Sequence, residues 1–202
     1  MRVGAPYDRG VEVPVRDAST VVLLRDGSDG MEVWLQRRAS TMVFAADMHA
    51  FPGGAVDAED SSADLARVDV QRHAEAWGDA DASRVGSLVA AAVRETREEC
   101  GVEVAPETLV PWARWVTPVG SPRRFDARFF VARCPSDADP RPTAAEVAHA
   151  EWVVVAAAVE RFAAGELAMW PPTIATLVEL AAFSDVEAAL AAAPLRIQAV
   201  TK

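Results

Sequence analysis

Two hydrophobic stretches near the start of the chain predict a β-hairpin. Residues 18–24 form a run of apolar and β-branched side chains, which is typical of a buried strand. Residues 31–37 alternate between apolar and polar side chains, which is typical of a strand with one buried face. The sequence Asp-Gly-Ser-Asp-Gly at residues 26–30 favours a turn between them. We therefore expect these two strands to pair.

The second half of the chain predicts more strands, followed by helices. Apolar stretches flank a turn rich in proline and glycine, and an alanine-rich region then contains a Pro-Pro-Thr sequence that favours a helix start. The predicted elements are strands at residues 109–117 and 125–134, a strand entered at Trp152, helices at residues 157–164 and 171–182, and a helix capped by Ser184. Helices thus dominate residues 171–193, and residues 195–201 are either a last strand or a tail.

A helix in the middle of the chain concentrates acidic side chains on one face. Glu95, Glu98 and Glu99 have the i, i+3, i+4 spacing that places side chains within about 100° of arc on a helix. A neighbouring arc is apolar enough to be buried and consists of Val89, Ala92, Val93, Thr96 and Cys100. Gly101 is a natural helix stop. The acidic face is either solvated and ion-paired or a site for hard divalent cations, which prefer carboxylate oxygens.

Composition narrows the class of protein. The chain has 202 residues, 51% hydrophobic and 25% charged, as expected of a globular protein. Its net charge of −10 argues against a nucleic-acid partner, because such binding depends on basic surface. We find no apolar run long enough for a membrane span and no apolar segment of a signal peptide. With only Cys100 and Cys134, a reducing cytoplasm is the expected location, and Cys100 is interpreted as a packing residue.

The sequence upstream of the acidic helix decides between the two interpretations of its glutamates. Phe51-Pro52-Gly53-Gly54 is followed by Glu59, and the helix carries R-E-T-x-E-E-x-G-V from Arg94 to Val102. This pattern resembles the Nudix box, G-x5-E-x7-R-E-U-x-E-E-x-G-U, where U is a bulky aliphatic residue. Thr96 departs from the pattern at one U position. The resemblance implies an α/β/α sandwich with a mixed sheet, and residues 1–202 are interpreted as a single Nudix domain.

The second departure from the box is an insertion. Between Glu59 and Arg94 lie 34 residues, where the family pattern has seven. Residues 60–86 contain a helical middle, so we expect one or two short helices packed beside the core with Trp77 as their anchor. His73 has no partner at metal-ligand spacing and is expected at the surface.

The resemblance implies a metal-dependent hydrolase that cleaves a diphosphate bond. In this chain it makes Glu95, Glu98 and Glu99 the metal ligands, with the carbonyl of Gly53 or Gly54 as a further ligand and Mg²⁺ or Mn²⁺ as the ion. Arg94 would hold a box carboxylate in place. The general base is open between Glu95 and Glu146, with Glu151 behind Glu146, and the better candidate is whichever carboxylate is free of metal.

A second resemblance concerns the substrate. The stretch W-V-T-P-x-G-S-P-R-R-F-D-A-R-F-F is similar to the Nudix branch that includes peroxisomal coenzyme A diphosphatases, and its arginines are candidates for phosphate contact. This branch also carries a signature before the box, of which the chain keeps Arg38 and the Phe-Pro-Gly-Gly sequence but has Val43 and Asp47 in place of an arginine and a glycine. The proposed substrate-binding residues are Arg38, Phe51, Arg123, Arg124 and Arg128.

Several alternatives stay open. Coenzyme A and its esters stand beside nucleotide sugars, ADP-ribose and dinucleotides as small-molecule diphosphate substrates. A Nudix-fold module that senses a nucleotide without turnover is the alternative function, although such modules usually lack box glutamates that this chain retains. The sequence does not fix the oligomeric state, and a homodimer is one option.

Overall fold

The computed structural model describes residues 13–41, 46–63 and 65–201. The expected hairpin is present, with strands β1 (Val15–Gly27) and β2 (Gly30–Arg38) paired antiparallel from Leu24–Val33 to Gly27–Gly30. Both strands are longer than the apolar pattern predicts. Val43, the departure from the coenzyme A signature, lies outside the described residues.

The described strands form one mixed sheet. They are β1, β2, β3 (His49–Ala50), β4 (Gly53–Ala55), β5 (Val110–Val116), β6 (Arg124–Arg133), β7 (Val147–Val154) and β8 (Ala199–Thr201). The order is β3-β2-β1-β6-β5-β8, with β4 also paired to β1 and β7 to β2. Strands β1 and β6 are parallel, as are β5 and β8, and the other pairs are antiparallel. Residues 195–201, for which the sequence predicts either a last strand or a tail, form a strand only over Ala199–Thr201.

Helices cover both faces of the sheet. They are α1 (Val70–Trp77), α2 (Ala82–Cys100), α3 (Val155–Ala163), α4 (Pro171–Leu180) and α5 (Val186–Ala191). Alternating residues of β1 point to opposite faces, so Val21 and Leu23 pack with α1 and α2, whereas Val22 and Leu24 pack with α3, α4 and α5. The expected α/β/α sandwich with a mixed sheet is confirmed. In the described ranges, none of the helices combines the length and apolar character that crossing a membrane requires.

The insertion packs against the sheet through α1. Trp77 is 2% exposed, and its ring meets Phe130 of β6 edge to face at a centroid distance of 5.0 Å. The expectation for His73 is wrong, because this residue shares the buried face of α1 with Trp77, four residues further on. The His73 ring is buried, with Nε2 lying 3.0 Å from the carbonyl oxygen of Leu109.

Further element boundaries differ from the sequence prediction, among them the start of β7, which lies at Val147 and not at Trp152. Helix α2 begins at Ala82, so the last residues of the insertion belong to the helix that carries the glutamates. Helix α5 is capped by Asp185 and not by Ser184, since the Asp185 carboxylate accepts from the backbone N–H of Ala188 at 2.8 Å. The Ser184 hydroxyl instead donates to Asp185.

Trp77→Ala is expected to destabilise the protein by about 3–5 kcal/mol, since it removes a fully buried aromatic side chain and leaves a cavity between α1 and the sheet. The free energy of unfolding from urea titration measures this. Glu75→Ala, on the exposed face of the same helix, is the control and should change stability by less than about 0.5 kcal/mol. Equal stability of the two variants would show that the insertion does not contribute to the core.

Candidate active site

Helix α2 presents its three glutamates at its C-terminal end. Its apolar stripe packs on the sheet, and Val89, Ala92, Thr96 and Cys100 are all buried. Glu99 borders this stripe and is 8% exposed, whereas the side chain of Glu98 is half-exposed. Gly101 ends the helix with a φ of 69°, a conformation that favours glycine. Burial raises the pKa of the Cys100 thiol to about 12, so it stays protonated at neutral pH and acts as a packing residue.

The Gly53-Gly54 segment meets the glutamates through its backbone. The N–H of Gly53 donates to Oε2 of Glu99 at 3.0 Å. A Cβ on Gly54 would lie 2.3 Å from Oε1 of Glu95, and a Cβ on Gly53 would lie 2.3 Å from the carbonyl oxygen of Ser19. Gly53 therefore needs glycine, because the backbone of β1 lies against it, whereas a side chain at Gly54 would displace the Glu95 carboxylate.

Arg94 binds several acidic groups around the box. Its Nε and Nη2 donate to the two carboxylate oxygens of Asp60, both at 3.0 Å. Its Nη1 donates to Glu95 at 2.8 Å and to Glu98 at 3.3 Å. Sequence reasoning identified Arg94 as the residue that holds a box carboxylate but missed Asp60, which has no signal beyond its position next to Glu59.

The carboxylates at this site repel one another in a partly dry environment. Burial raises the pKa of Glu99 to about 7, and the negative charges of Glu95 and Glu146 act in the same direction. Burial also raises the pKa of Glu95, against the opposing effect of Arg94. A nearby positive charge would stabilise the ionised form of both groups.

The donor set fits a hard divalent cation, which prefers carboxylate oxygens. The contacts with Arg94 and Gly53 each use one oxygen of Glu95, Glu98 or Glu99, and every carboxylate has a second oxygen for a cation. In the described part of the chain, the acidic, histidine and cysteine side chains do not form a ready-made group of three that could hold a metal ion. The carboxylates of the glutamates are thus close enough to repel one another, but they do not converge on a single position for a cation.

Two more of the predicted residues lie beside the glutamates. Arg38 pairs with Glu146 at 3.8 Å, and both influence the charge state of Glu99. The backbone N–H of Ala39 donates to the carbonyl oxygen of Glu146 at 2.8 Å. Nε of Arg38 is buried and finds no hydrogen-bond acceptor among the described residues.

Glu151 lies on the opposite face of the sheet from the box. It is paired with Leu35 in the β2–β7 register, and directly opposed residues of antiparallel strands share a face. Leu35 belongs to the core beneath α3, α4 and α5. The Glu151 carboxylate accepts from Arg161 of α3 at 3.2 Å. Of the two acidic residues considered in this region, only Glu146 faces the box.

The structure does not bring the other substrate-binding candidates to the glutamates. Phe51 is 4% exposed and packs edge to face on Phe129 in the core. Arg124 is buried, and its Nε donates to the carbonyl oxygen of Thr117 at 3.3 Å. Arg123 is exposed on the turn before β6. These positions give Phe51 and Arg124 structural contacts that the motif did not indicate.

Arg128 is fully buried in a charged cluster formed by Asp17, Asp79, Arg84, Arg114, Asp126 and Arg128. Nη2 of Arg128 lies 3.2 Å from Asp79, and Nε of Arg84 donates to Asp17 at 2.8 Å. Arg84 lies in the first turn of α2, about 16 Å along the helix from Glu95. The guanidinium of Arg128 therefore joins the insertion to the sheet and does not face a phosphate at the box.

The sequence contained a partial signal for this cluster. Arg124, Asp126 and Arg128 alternate along β6, so they share the face that Phe130 presents to α2. When charged side chains lie on the same face of a strand as buried apolar ones, they are expected to form buried ion pairs. Their partners Asp17, Asp79 and Arg84 come from distant parts of the chain, and no local spacing connects them.

Comparison with known proteins shows which family and which relatives this chain is similar to. The model of the NUDIX domain matches residues 81–173, which contain α2 but not the Gly53-Gly54 segment. The Caenorhabditis elegans protein named "Putative nudix hydrolase 7" is 24% identical over 184 residues, 84% of this chain. The chain spans 62% of the length of that relative.

Two solved structures are similar in fold. The NUDIX hydrolase from Alicyclobacillus acidocaldarius is 28% identical, has a TM-score of 0.76, and is matched over 91% of this chain and 98% of its own. The NUDIX domain of Shewanella oneidensis NrtR, solved in complex with ADP ribose, is 12% identical. Its TM-score is 0.56, and the match covers 87% of this chain and 92% of that domain. The second likeness concerns the fold alone.

Proposed function

We propose that this chain, which carries a Nudix domain of the hydrolase type, cleaves a diphosphate bond in a nucleoside diphosphate derivative with the help of Mg²⁺ or Mn²⁺. One observation supports this most directly: the box glutamates of α2 meet the Gly53-Gly54 backbone, Arg38 and Glu146 in one place. That place combines acidic ligands for a cation with a cationic side chain for a phosphate.

In the proposed mechanism, Glu95, Glu98 and Glu99 hold the cation, with the Gly53 carbonyl as a further ligand. When bound, a divalent ion neutralises phosphoryl oxygens and lowers the pKa of bound water. Arg94 orients Glu95 and Glu98 through its two hydrogen bonds, and the N–H of Gly53 fixes Glu99. Arg38 contacts a phosphate oxygen of the substrate.

Glu146 is the better choice for the general base. Glu95 belongs to the proposed cation site, and a cation bound there would lower its pKa and make it a weak base, in the same direction as its hydrogen bond with Arg94. The side chain of Glu146 is 64% exposed and lies beside Arg38, where water and substrate can reach it. It would accept the proton that the attacking water releases.

Coenzyme A or an acyl-coenzyme A is the substrate class suggested by Arg38 and the Phe-Pro-Gly-Gly sequence. Arg123 is retained as a second phosphate contact because it is exposed. Phe51, Arg124 and Arg128 are left out of the substrate set, since all three are buried in other contacts.

The test is turnover against a panel of diphosphates. Coenzyme A, an acyl-coenzyme A, ADP-ribose, a nucleotide sugar and a dinucleoside polyphosphate are each incubated with the protein and Mg²⁺ or Mn²⁺, and the products are identified by mass. A hydrolase releases two phosphorylated fragments from at least one of them. Binding of a compound without any product would favour the nucleotide-sensing module instead.

Removal of divalent ions is expected to abolish turnover of the best compound of the panel. The reason is that the carboxylates of the box cannot by themselves neutralise an anionic phosphoryl group. The measurement is the initial rate in excess EDTA, followed by addition of Mg²⁺ or Mn²⁺ beyond the chelator, which should restore it. EDTA already saturated with Mg²⁺ is the control. An undiminished rate in excess EDTA would refute the cation part of the proposal.

A further inference from the structure

The turn that presents Glu146 is held at its C-terminal end by β2. The backbone N–H of Val147 donates to the carbonyl oxygen of Ala144 at 3.1 Å, which closes a tight turn over residues 144–147. The carbonyl oxygen of Glu146 accepts from the N–H of Ala39, at the end of β2. The backbone of Glu146 is thus fixed to the strand that carries Arg38.

The N-terminal end of the same turn is held by the glutamate helix. A helix leaves its last four carbonyls without partners in the helix. In α2, the carbonyl oxygen of Arg97 accepts from the N–H of Gly101. Thr143 binds the next two carbonyls. Its hydroxyl donates to the backbone carbonyl oxygen of Glu98 at 2.6 Å, and its N–H donates to the backbone carbonyl oxygen of Glu99 at 3.0 Å. The last one, of Cys100, accepts from the N–H of Arg141 at 3.1 Å.

We propose that Thr143 is a positioning residue, which fixes the carboxylate of Glu146 relative to those of Glu98 and Glu99. This inference rests on the proposed function. Thr143 is bonded to the peptide groups of the two glutamates themselves, and it is three residues from Glu146. A shift of the turn against α2 therefore changes the distance between the base and the cation ligands directly, with no intervening element to absorb it.

Of the two hydrogen bonds from Thr143 to α2, only the one from its side-chain hydroxyl can be removed by substitution. Thr143 is exposed, so after loss of the hydroxyl the Glu98 carbonyl is free to bond to water, and the cost to stability is small. The cost to catalysis is larger, because a misplacement of about 1 Å at a reacting group lowers rates by up to about 10²-fold. A residue that only caps the helix would change stability without changing the turnover number.

The experiment compares Thr143→Val, which keeps the shape but removes the hydroxyl, with Thr143→Ser, which keeps the hydroxyl. Thr108→Val is the matched control, because Thr108 is also exposed and its hydroxyl donates to a backbone carbonyl at 2.7 Å. For the best substrate of the panel, Thr143→Val should lower kcat about tenfold. KM and the affinity for Mg²⁺ should change less than about twofold, since the phosphate and cation ligands stay in place. Thr143→Ser and Thr108→Val should match the parent.

A double-mutant cycle identifies the residue through which Thr143 acts. If Thr143 positions Glu146, then Thr143→Val has no further effect on kcat in a Glu146→Gln background. The inference is overturned if Thr143→Val turns over like the parent, if Thr143→Ser is as slow as Thr143→Val, or if the tenfold loss persists in the Glu146→Gln background. A parent protein without turnover on the panel overturns the proposed function, and this inference with it.

Discussion

Glu99→Gln is expected to abolish turnover and to weaken Mg²⁺ binding, while the fold stays intact. The amide keeps the shape and can still accept from the N–H of Gly53, but it removes a negative charge from the proposed cation site. Glu98→Gln should have the same effect, since its carboxylate belongs to the same ligand set. The measurements are Mg²⁺ titration by calorimetry and single-turnover rates for the parent and both variants. If both variants bind Mg²⁺ and turn over like the parent, the glutamates are not cation ligands.

The stability of the metal-free Glu99→Gln variant provides an independent check. The folded pKa of Glu99 is about 7, above its ordinary value of 4.5. Between these values the native state binds more protons than the unfolded state, so stability falls as pH rises from about 4.5 to 7. At pH 8 the lost stability is about 3 kcal/mol. Glu99→Gln removes this loss and should be more stable than the metal-free parent at pH 8, but not at pH 4.

Glu99→Gln is thus expected to lose activity but to gain stability at pH 8. This combination distinguishes a cation ligand from a residue that only supports the fold. If Glu99 only supported the fold, its replacement by glutamine would be expected to destabilise the protein at every pH. Urea unfolding of parent and variant at pH 4 and pH 8, both in EDTA, measures the difference. A variant that is less stable than the parent at pH 8 would contradict the conclusion that the ionised carboxylate of Glu99 destabilises the metal-free protein.

Local sequence spacing predicts those parts of the structure that depend on one element. The i, i+3, i+4 spacing places Glu95, Glu98 and Glu99 at one end of α2, and the apolar stripe gives its buried face. Alternation predicts β2, and the turn residues predict the hairpin. These features follow from helix and strand periodicity, which does not require knowledge of the rest of the fold.

Contacts between distant segments are the part that the sequence does not predict. Asp60 becomes the main partner of Arg94 only because the insertion returns to the box. Arg128 has the charge that a phosphate contact needs, but the sheet places it under Trp77, where Asp79 and Asp126 bind it. His73 is another case of a contact between distant segments, because Nε2 of its ring lies 3.0 Å from the carbonyl oxygen of Leu109, 36 residues further along the chain.

The choice between Glu146 and Glu151 shows how one strand register resolves an ambiguity of sequence. Both acidic residues are candidates for the base from the sequence, with Glu151 behind Glu146, and they are five positions apart. The β2–β7 register turns Glu151 toward Arg161 of α3, and the turn before β7 brings Glu146 to Arg38 on the box side. Since the register depends on pairing with β2, no pattern within residues 146–151 contains this information.

Glu146→Gln is therefore expected to lower kcat by about 10²–10⁴-fold, which is the contribution of a positioned general base. The affinity for Mg²⁺ should stay close to that of the parent, because Glu146 is outside the proposed ligand set. Glu151→Gln is the matched control: it makes the same chemical change on the opposite face of the sheet and should leave kcat within about twofold of the parent. Single-turnover rates and Mg²⁺ titrations of the two variants measure both effects.

The pattern of the two results identifies the base. A large loss in Glu146→Gln alone assigns the role to Glu146, whereas a large loss in Glu151→Gln alone would require β7 to present its other face to the substrate. If neither variant is slower than the parent, the proton of the attacking water goes to a carboxylate of α2, and Glu95 becomes the candidate. Burial raises the pKa of Glu95 and so favours proton uptake, whereas the hydrogen bond from Arg94 at 2.8 Å stabilises the ionised form and opposes it.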